Sequence, residues 1–129
     1  MSVAARILIV DDERPISTLL AQTFEQEGHQ VVNAHDGIDC MNKMSSFRPD
    51  VVIMDIMMPK LDGVDSTRLI RRNRSYGDTI IIALSAKSDE ETRQKMKEAG
   101  ANLFMRKPFV IAKLVDRVNH MLRARSGSR

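Results

Sequence analysis

The sequence predicts an α/β chain: a single doubly wound (βα)5 domain, with five parallel strands in one sheet and helices on both faces. Three observations carry that expectation. Strand-like and helix-like patterns alternate along the whole chain, which is the mark of successive βαβ units. The runs Ile7-Leu8-Ile9-Val10, Val51-Val52-Ile53-Met54 and Ile80-Ile81-Ile82-Ala83-Leu84 are continuously apolar rather than alternating. Strands buried on both faces read this way. Finally, each of these runs stops at an acid or a hydroxyl: Asp11-Asp12, Asp55 and Ser85, while Lys107-Pro108 follows Leu103-Phe104-Met105 one residue on.

Strands are expected to start near residues 6, 30, 51, 79 and 103. In the first helix Pro15 opens the first turn, Ile16, Leu19, Leu20 and Phe24 share one face, and Gly28 stops it. The second strand, Gln30–Ala34, is weaker and belongs near a sheet edge. A second helix runs from about 37 to 47 with Ile38, Met41 and Met44 inward. Arg48-Pro49 ends it, because the residue before proline avoids helical angles. A third helix spans about 64 to 73. A fourth, from about 89 to 99, has Met96 as its one large apolar residue. The fifth carries Ile111, Leu114, Val115, Val118, Met121 and Leu122, an i, i+3, i+4, i+7 stripe. The domain is expected over residues 1–125, with 126–129 a frayed end or linker.

Bulk properties narrow the class. A length of 129 residues suits one domain with a real core. No apolar run approaches the roughly 20 residues needed to span a bilayer, and Met1–Arg6 lacks the apolar stretch of a signal peptide. The single cysteine, Cys40, allows no internal disulfide, so a reducing cytoplasm is the expected compartment. The net charge of +3 permits an acidic partner. The basic residues are spread along the chain and aromatics are only 4%, so these charges read as solvated faces, with no membrane contact and no direct nucleic-acid binding.

In a parallel sheet, ligands sit outside the carboxyl ends of the strands, at the switch in strand order. Three carboxylates, a hydroxyl and an ammonium would converge there. One capping acid would account for one residue, not for Asp11, Asp12 and Glu13 together. Clustered acids at the edge of an apolar core repel and need a counter-charge. Oxygen-only ligands favour a hard cation, and few protein ligands with several waters suit magnesium, Mg2+. Beside a metal, the Asp55 carboxylate could attack phosphorus and form an acyl phosphate. Lys107 supplies a mobile point charge for a phosphoryl oxygen, and Ser85 a hydrogen bond to the same group.

Asp11-Asp12-Glu13, Met54-Asp55 with Met58-Pro59 and Asp62-Gly63 beyond, Ser85-Ala86, and Lys107-Pro108-Phe109 resemble the receiver domain of bacterial two-component response regulators, of the chemotaxis-regulator kind. The resemblance covers residues 6 to about 124 and implies a flavodoxin-like fold. It implies that Asp55 is the phosphoacceptor, that Asp12 is a direct magnesium ligand with Asp11 acting through water, and that the Met57 carbonyl is the third protein ligand. Ser85 is implied as the switch hydroxyl, Phe104 as the switch aromatic, and the Lys107-Pro108 bond as cis. Met57 and Lys87 stand two beyond the acceptor and two beyond the switch hydroxyl, where the family controls attack by water. Methionine cannot orient a water and lysine can cover the phosphoryl group, so autodephosphorylation is expected to be slow.

The implied partners are a sensor histidine kinase or phosphotransfer protein, a downstream output domain or protein, and a phosphorylation-dependent dimer. The implied output face joins the fourth helix, fifth strand and fifth helix, with Arg93, Lys97, Lys113 and Arg117. Asn102-Leu103 departs from the acid that DNA-binding members often place before the switch aromatic. Two other functions compete with a switch. A hydrolase of the haloacid-dehalogenase type places a second acid two residues after its nucleophile, where Met57 stands. A pseudo-receiver that only binds partners typically lacks one of the acids or the lysine, all of which are present. A phosphorelay intermediate would use the same site. In each receiver reading the chain turns over no separate substrate.

Overall fold

The computed structural model describes residues 4–58, 60–86 and 89–127, with the side chains of 126 and 127 excepted. Pro59, Lys87, Ser128 and Arg129, all singled out in the sequence, lie outside the described residues. Five strands alternate with five helices: β1 Arg6–Val10, α1 Arg14–Gln26, β2 Gln30–Ala34, α2 Gly37–Phe47, β3 Val51–Asp55, α3 Gly63–Arg72, β4 Ile80–Ser85, α4 Glu90–Ala99, β5 Leu103–Arg106 and α5 Ile111–Gly127. A 3-10 turn, Arg74–Tyr76, follows α3. The helix α5 continues two residues into the expected tail.

All pairings are parallel and the strand order is β2-β1-β3-β4-β5. The chain moves outward from β1 to β2, then returns across β1 to β3. The order therefore reverses between β1 and β3, which opens a crevice above their carboxyl ends.

The strand residues divide by the two-residue period between two cores. Ile7, Ile9, Val51, Ile53, Ile82 and Leu84 pack with Leu20 and Phe24 of α1 and with Leu114, Val118 and Leu122 of α5. Leu8, Val10, Val52, Met54 and Ile81 pack with Cys40 and Met44 of α2 and Ile70 of α3. A third, smaller cluster joins Ile56, Ala83 and Met96, with Phe104 packed against it. Each fully buried Leu, Ile or Phe side chain is worth about 1.5–3 kcal/mol, so the two large clusters hold the sheet.

Two helix faces differ from the sequence expectation. Leu19 is 50% exposed, and α1 turns Ser17, Leu20 and Phe24 inward instead. Ile38 is 52% exposed, and α2 buries Gly37, Cys40 and Met44. In both cases an i, i+3, i+7 stripe sets the phase, and the residue 100° round the helix from it faces water. At Gly37 the inward position faces the Leu61 main chain, where a side chain would not fit.

Helix α4 buries only Met96 and Ala99, both in its second half. Gly100, at φ 114°, ends it. Arg71 fixes that end: its Nε donates to Gly100 O (3.0 Å), Nη1 to Tyr76 O (2.9 Å) and Nη2 to Asn102 Oδ1 (2.9 Å). The same Asn102 oxygen accepts the Ile81 amide at 2.8 Å.

Candidate functional site

The sheet register brings the site residues together one step beyond the ladder. Val10 pairs with Met54, so Asp11 and Asp55 emerge side by side. Asp55 pairs with Leu84 and Ser85 with Arg106, which places Ser85 and Lys107 in sequence along the same edge. The Lys107 amide donates to Ser85 O at 2.8 Å, tying the segment after β5 to the end of β4. The Lys107-Pro108 bond is cis.

One carboxylate oxygen from each of Asp11, Asp12, Glu13 and Asp55 lies within 4.8 Å of the others. Asp11 and Asp55 are buried, whereas Asp12 and Glu13 are exposed. Lys107 answers this charge. Its Nζ is 3.5 Å from Asp11 Oδ2, 3.5 Å from Asp55 Oδ1 and 3.9 Å from Glu13 Oε1. Neither aspartate caps α1. Glu13 is the N-cap and its side chain makes no capping bond among the described residues, while Asp11 Oδ1 accepts the Glu13 amide at 2.8 Å.

Burial controls the ionisation of this group. It pushes Asp55 from its ordinary 3.8 up to about 6, opposed by Lys107 and reinforced by the Asp11 charge. Asp11 is also raised, again chiefly by burial, with the Glu13 amide and Lys107 pulling the other way. Asp11 Oδ2 is buried and accepts no hydrogen bond among the described residues. A buried oxygen that accepts no hydrogen bond, in an all-carboxylate donor set, fits a hard divalent cation whose bound water would donate to it.

The remaining expected residues lie around this centre. Met57, in the β3–α3 loop, is 55% exposed and its amide is 3.4 Å from Asp55 Oδ1. Ser85 is fully buried. Phe104 is half-buried rather than solvent-facing, and lines a cleft of about 390 Å3 with Glu90, Arg93, Gln94 and Lys97. Lys113 and Arg117 are not in that cleft. They line a separate groove with Leu103, Met105 and Asp116. The sequence reading gave no role to Gly37 or Gly63, where main chains come into contact. The Asp36-Gly37 and Asp62-Gly63 pairs were the available signal.

A parallel doubly wound sheet thus gathers at its switch point an acid cluster that could hold a metal ion, a lysine and a buried hydroxyl. Comparison with known proteins makes the class specific. The model for the response regulator receiver domain matches residues 7–119. The chain is 36% identical over 121 residues to the response regulator MprA of Mycobacterium bovis strain BCG / Pasteur 1173P2, covering 93% of this chain and 51% of that protein. Among solved structures, the chemotaxis response regulator CheY4 of Vibrio cholerae superposes with a TM-score of 0.86 at 29% identity, covering 92% of this chain and 99% of that one. A CheY-like receiver domain protein from Methanospirillum hungatei JF-1 shares the fold, with a TM-score of 0.90 at 22% identity over 98% of this chain and 100% of that one.

The chain belongs to the response regulator receiver domain family of two-component systems. Its members are signalling domains, not conventional enzymes, and partner with histidine kinases and output domains. The chain spans about half the length of the curated relatives it matches. Among the described residues no helix is long and apolar enough to cross a membrane.

Proposed function

We propose that this chain is a phosphorylation switch in which Asp55 takes a phosphoryl group from a kinase phosphohistidine. One observation carries this reading above the others: Lys107 lies 3.5 Å from both Asp11 and Asp55, two of four converging carboxylates. A carboxylate oxygen of Asp55 attacks phosphorus, the phosphorus–nitrogen bond breaks, and the histidine leaves with that electron pair. With its carboxyl at about 6, Asp55 is mostly ionised at neutral pH and ready as the nucleophile. Asp12, Asp55 and the Met57 carbonyl would hold magnesium, with Asp11 acting through water. When bound, the ion offsets charge on the phosphoryl oxygens. Lys107 then exchanges a carboxylate partner for a phosphoryl oxygen, and Ser85 donates a hydrogen bond to the same group.

The output reading follows from packing. The new group at Asp55 carries nearly two charges. Ser85 moves toward it, space opens under β4, and Phe104 turns further into the small cluster of Ile56, Ala83 and Met96 that it already touches. The helix α4 has little apolar anchorage and yields at low cost. Arg93 and Lys97 beside Phe104, with Lys113 and Arg117 across β5, offer a basic face to a partner with acidic contacts. The domain acts in the cytoplasm, downstream of a sensor kinase or phosphotransfer protein.

Two experiments test this. Acetyl phosphate with magnesium should give an acid-stable, base-labile adduct on Asp55, absent from Asp55→Asn; an adduct mapped elsewhere overturns the assignment. Beryllofluoride with magnesium should move amide resonances from residues 55 and 85 into residues 89–106. Changes confined to the metal site would favour a relay intermediate over a switch.

A further inference from the structure

We propose that Glu13 is a specificity-determining residue, whose charge slows phosphorylation of this chain by small, free anionic donors. The inference rests on the reading of Asp55 as the phosphoacceptor given above. It also names the carboxylate that Lys107 gives up when a phosphoryl group arrives.

Lys107 has three acidic partners, and they differ in freedom. Asp11 and Asp55 are buried at the ends of two central strands, and each lies 3.5 Å from Nζ. Glu13 Oε1 is 3.9 Å away, on a side chain that is 58% exposed. The main chain of Glu13 is pinned. Its amide donates to Asp11 Oδ1 at 2.8 Å, and its carbonyl accepts the Ser17 amide at 3.1 Å. Its side chain makes no capping bond, and Lys107 is its one ion-pair partner among the described residues. The residue therefore stays beside the site, while its carboxylate is the one of the three that can leave Lys107 without moving a strand.

The charges do not balance without such a departure. Lys107 and a divalent cation answer three of the four converging carboxylates, which leaves one over. Asp11 and Asp55 hold Lys107 more closely, and Asp12 is read as a cation ligand, so the remaining charge is that of Glu13. One of its oxygens lies within 4.8 Å of one on Asp55. A phosphoryl group forming on Asp55 grows against that charge, and a small donor arriving from solvent brings its own charges toward it. A phosphohistidine arrives on a protein surface instead. Contacts made by that surface can hold the Glu13 side chain aside and offset the repulsion. Glu13 thus weighs against free phosphodonors more than against a docked one.

The test compares wild type, Glu13→Gln, Glu13→Ala and Glu25→Gln, the last removing an exposed acid at the far end of the same helix. Initial phosphorylation rates are read by intact-protein mass spectrometry, with magnesium saturating for each protein. The donors are acetyl phosphate, a dianion, and phosphoramidate, which carries one net charge fewer. At low ionic strength Glu13→Gln should accept phosphate from acetyl phosphate about fivefold faster than wild type. That factor corresponds to about 1 kcal/mol, the repulsion of unit charges about 4 Å apart in water. The gain with phosphoramidate should be distinctly smaller, and both gains should fade toward none in about 1 M potassium chloride. Glu13→Ala should match Glu13→Gln, because both remove the charge, and Glu25→Gln should match wild type. A change that only loosened the start of α1 would not sort donors by charge or respond to salt in this way. The proposal is overturned by a Glu13→Gln rate no faster than wild type, by equal gains from both donors, by a gain that ignores salt, or by a gain absent from Glu13→Ala. Wild type that forms no adduct on Asp55 with either donor would instead overturn the functional reading beneath it.

Discussion

Replacing Asp55 by asparagine should stabilise the metal-free protein, by an amount that depends on pH in a defined way. The Asp55 side chain is 5% exposed, and burial raises its carboxyl from 3.8 to about 6. The folded state thus holds the proton more tightly than the unfolded chain. This group's contribution to stability is complete below pH 4 and is lost as pH rises through about 6. Above that, the buried charge costs about 3 kcal/mol, from about two pH units at 1.36 kcal/mol each. Lys107 does not lose its role in the variant, because Asp11 remains at 3.5 Å and Glu13 at 3.9 Å. Urea unfolding followed by far-UV circular dichroism in EDTA should show the two proteins equal near pH 4. The variant should gain through pH 5 and 6 and lead by up to about 3 kcal/mol at pH 7.5. Magnesium at 100 times its Kd stabilises wild type by about 2.7 kcal/mol and should close most of that gap. A difference that does not vary with pH, or a less stable variant at pH 7.5 in EDTA, would refute the reasoning.

Other outcomes follow from the same geometry. Lys107→Ala leaves Asp11 and Asp55 without their shared cation, and should destabilise the metal-free protein by roughly 3 kcal/mol in urea titrations. Asp12→Ala removes an exposed acid from a crowded cluster; its melting temperature in EDTA should equal or exceed that of wild type, and millimolar magnesium should no longer raise it. Met57→Asn should shorten the phosphoryl lifetime, followed by loss of radiolabel, because an amide can orient water where a thioether cannot. Cys40 is fully buried, and burial raises its thiol to about 12, so iodoacetamide at pH 8 should label it only after unfolding in guanidinium.

The strand set was legible because its signal is local. Four residues of unbroken apolar sequence followed by an acid state both burial and the position of a strand end. The convergence of Asp11, Asp55 and Lys107 then needed only parallel topology, since parallel strands end on one edge. What escaped depends on contacts between elements far apart in sequence. Leu19 and Ile38 looked inward because apolar side chains usually are, yet α1 buries Ser17 with Leu20 and Phe24, and α2 buries Gly37, at a close approach to Leu61, with Cys40 and Met44. Nothing near Gly37 in sequence shows that Leu61 will rest on it. Asn102 stood out only as a departure from a pattern, but its side-chain oxygen serves both Ile81 and Arg71.

The tether made by Arg71 has a mechanical consequence. A helix of ten residues is about 15 Å long at 1.5 Å per residue. This one is gripped at its last turn, by Met96, Ala99 and the guanidinium on Gly100, while its first turn buries none of its side chains. A rod clamped at one end converts a push at the other into rotation, and a tilt of about 10° swings its tip through roughly 2.5 Å over that length. In the proposed switch, leverage of this kind would turn a small shift at the sheet edge into a larger displacement at the first turn of the helix. The pivot of such a rotation would be the guanidinium of Arg71, which holds Gly100 and Asn102.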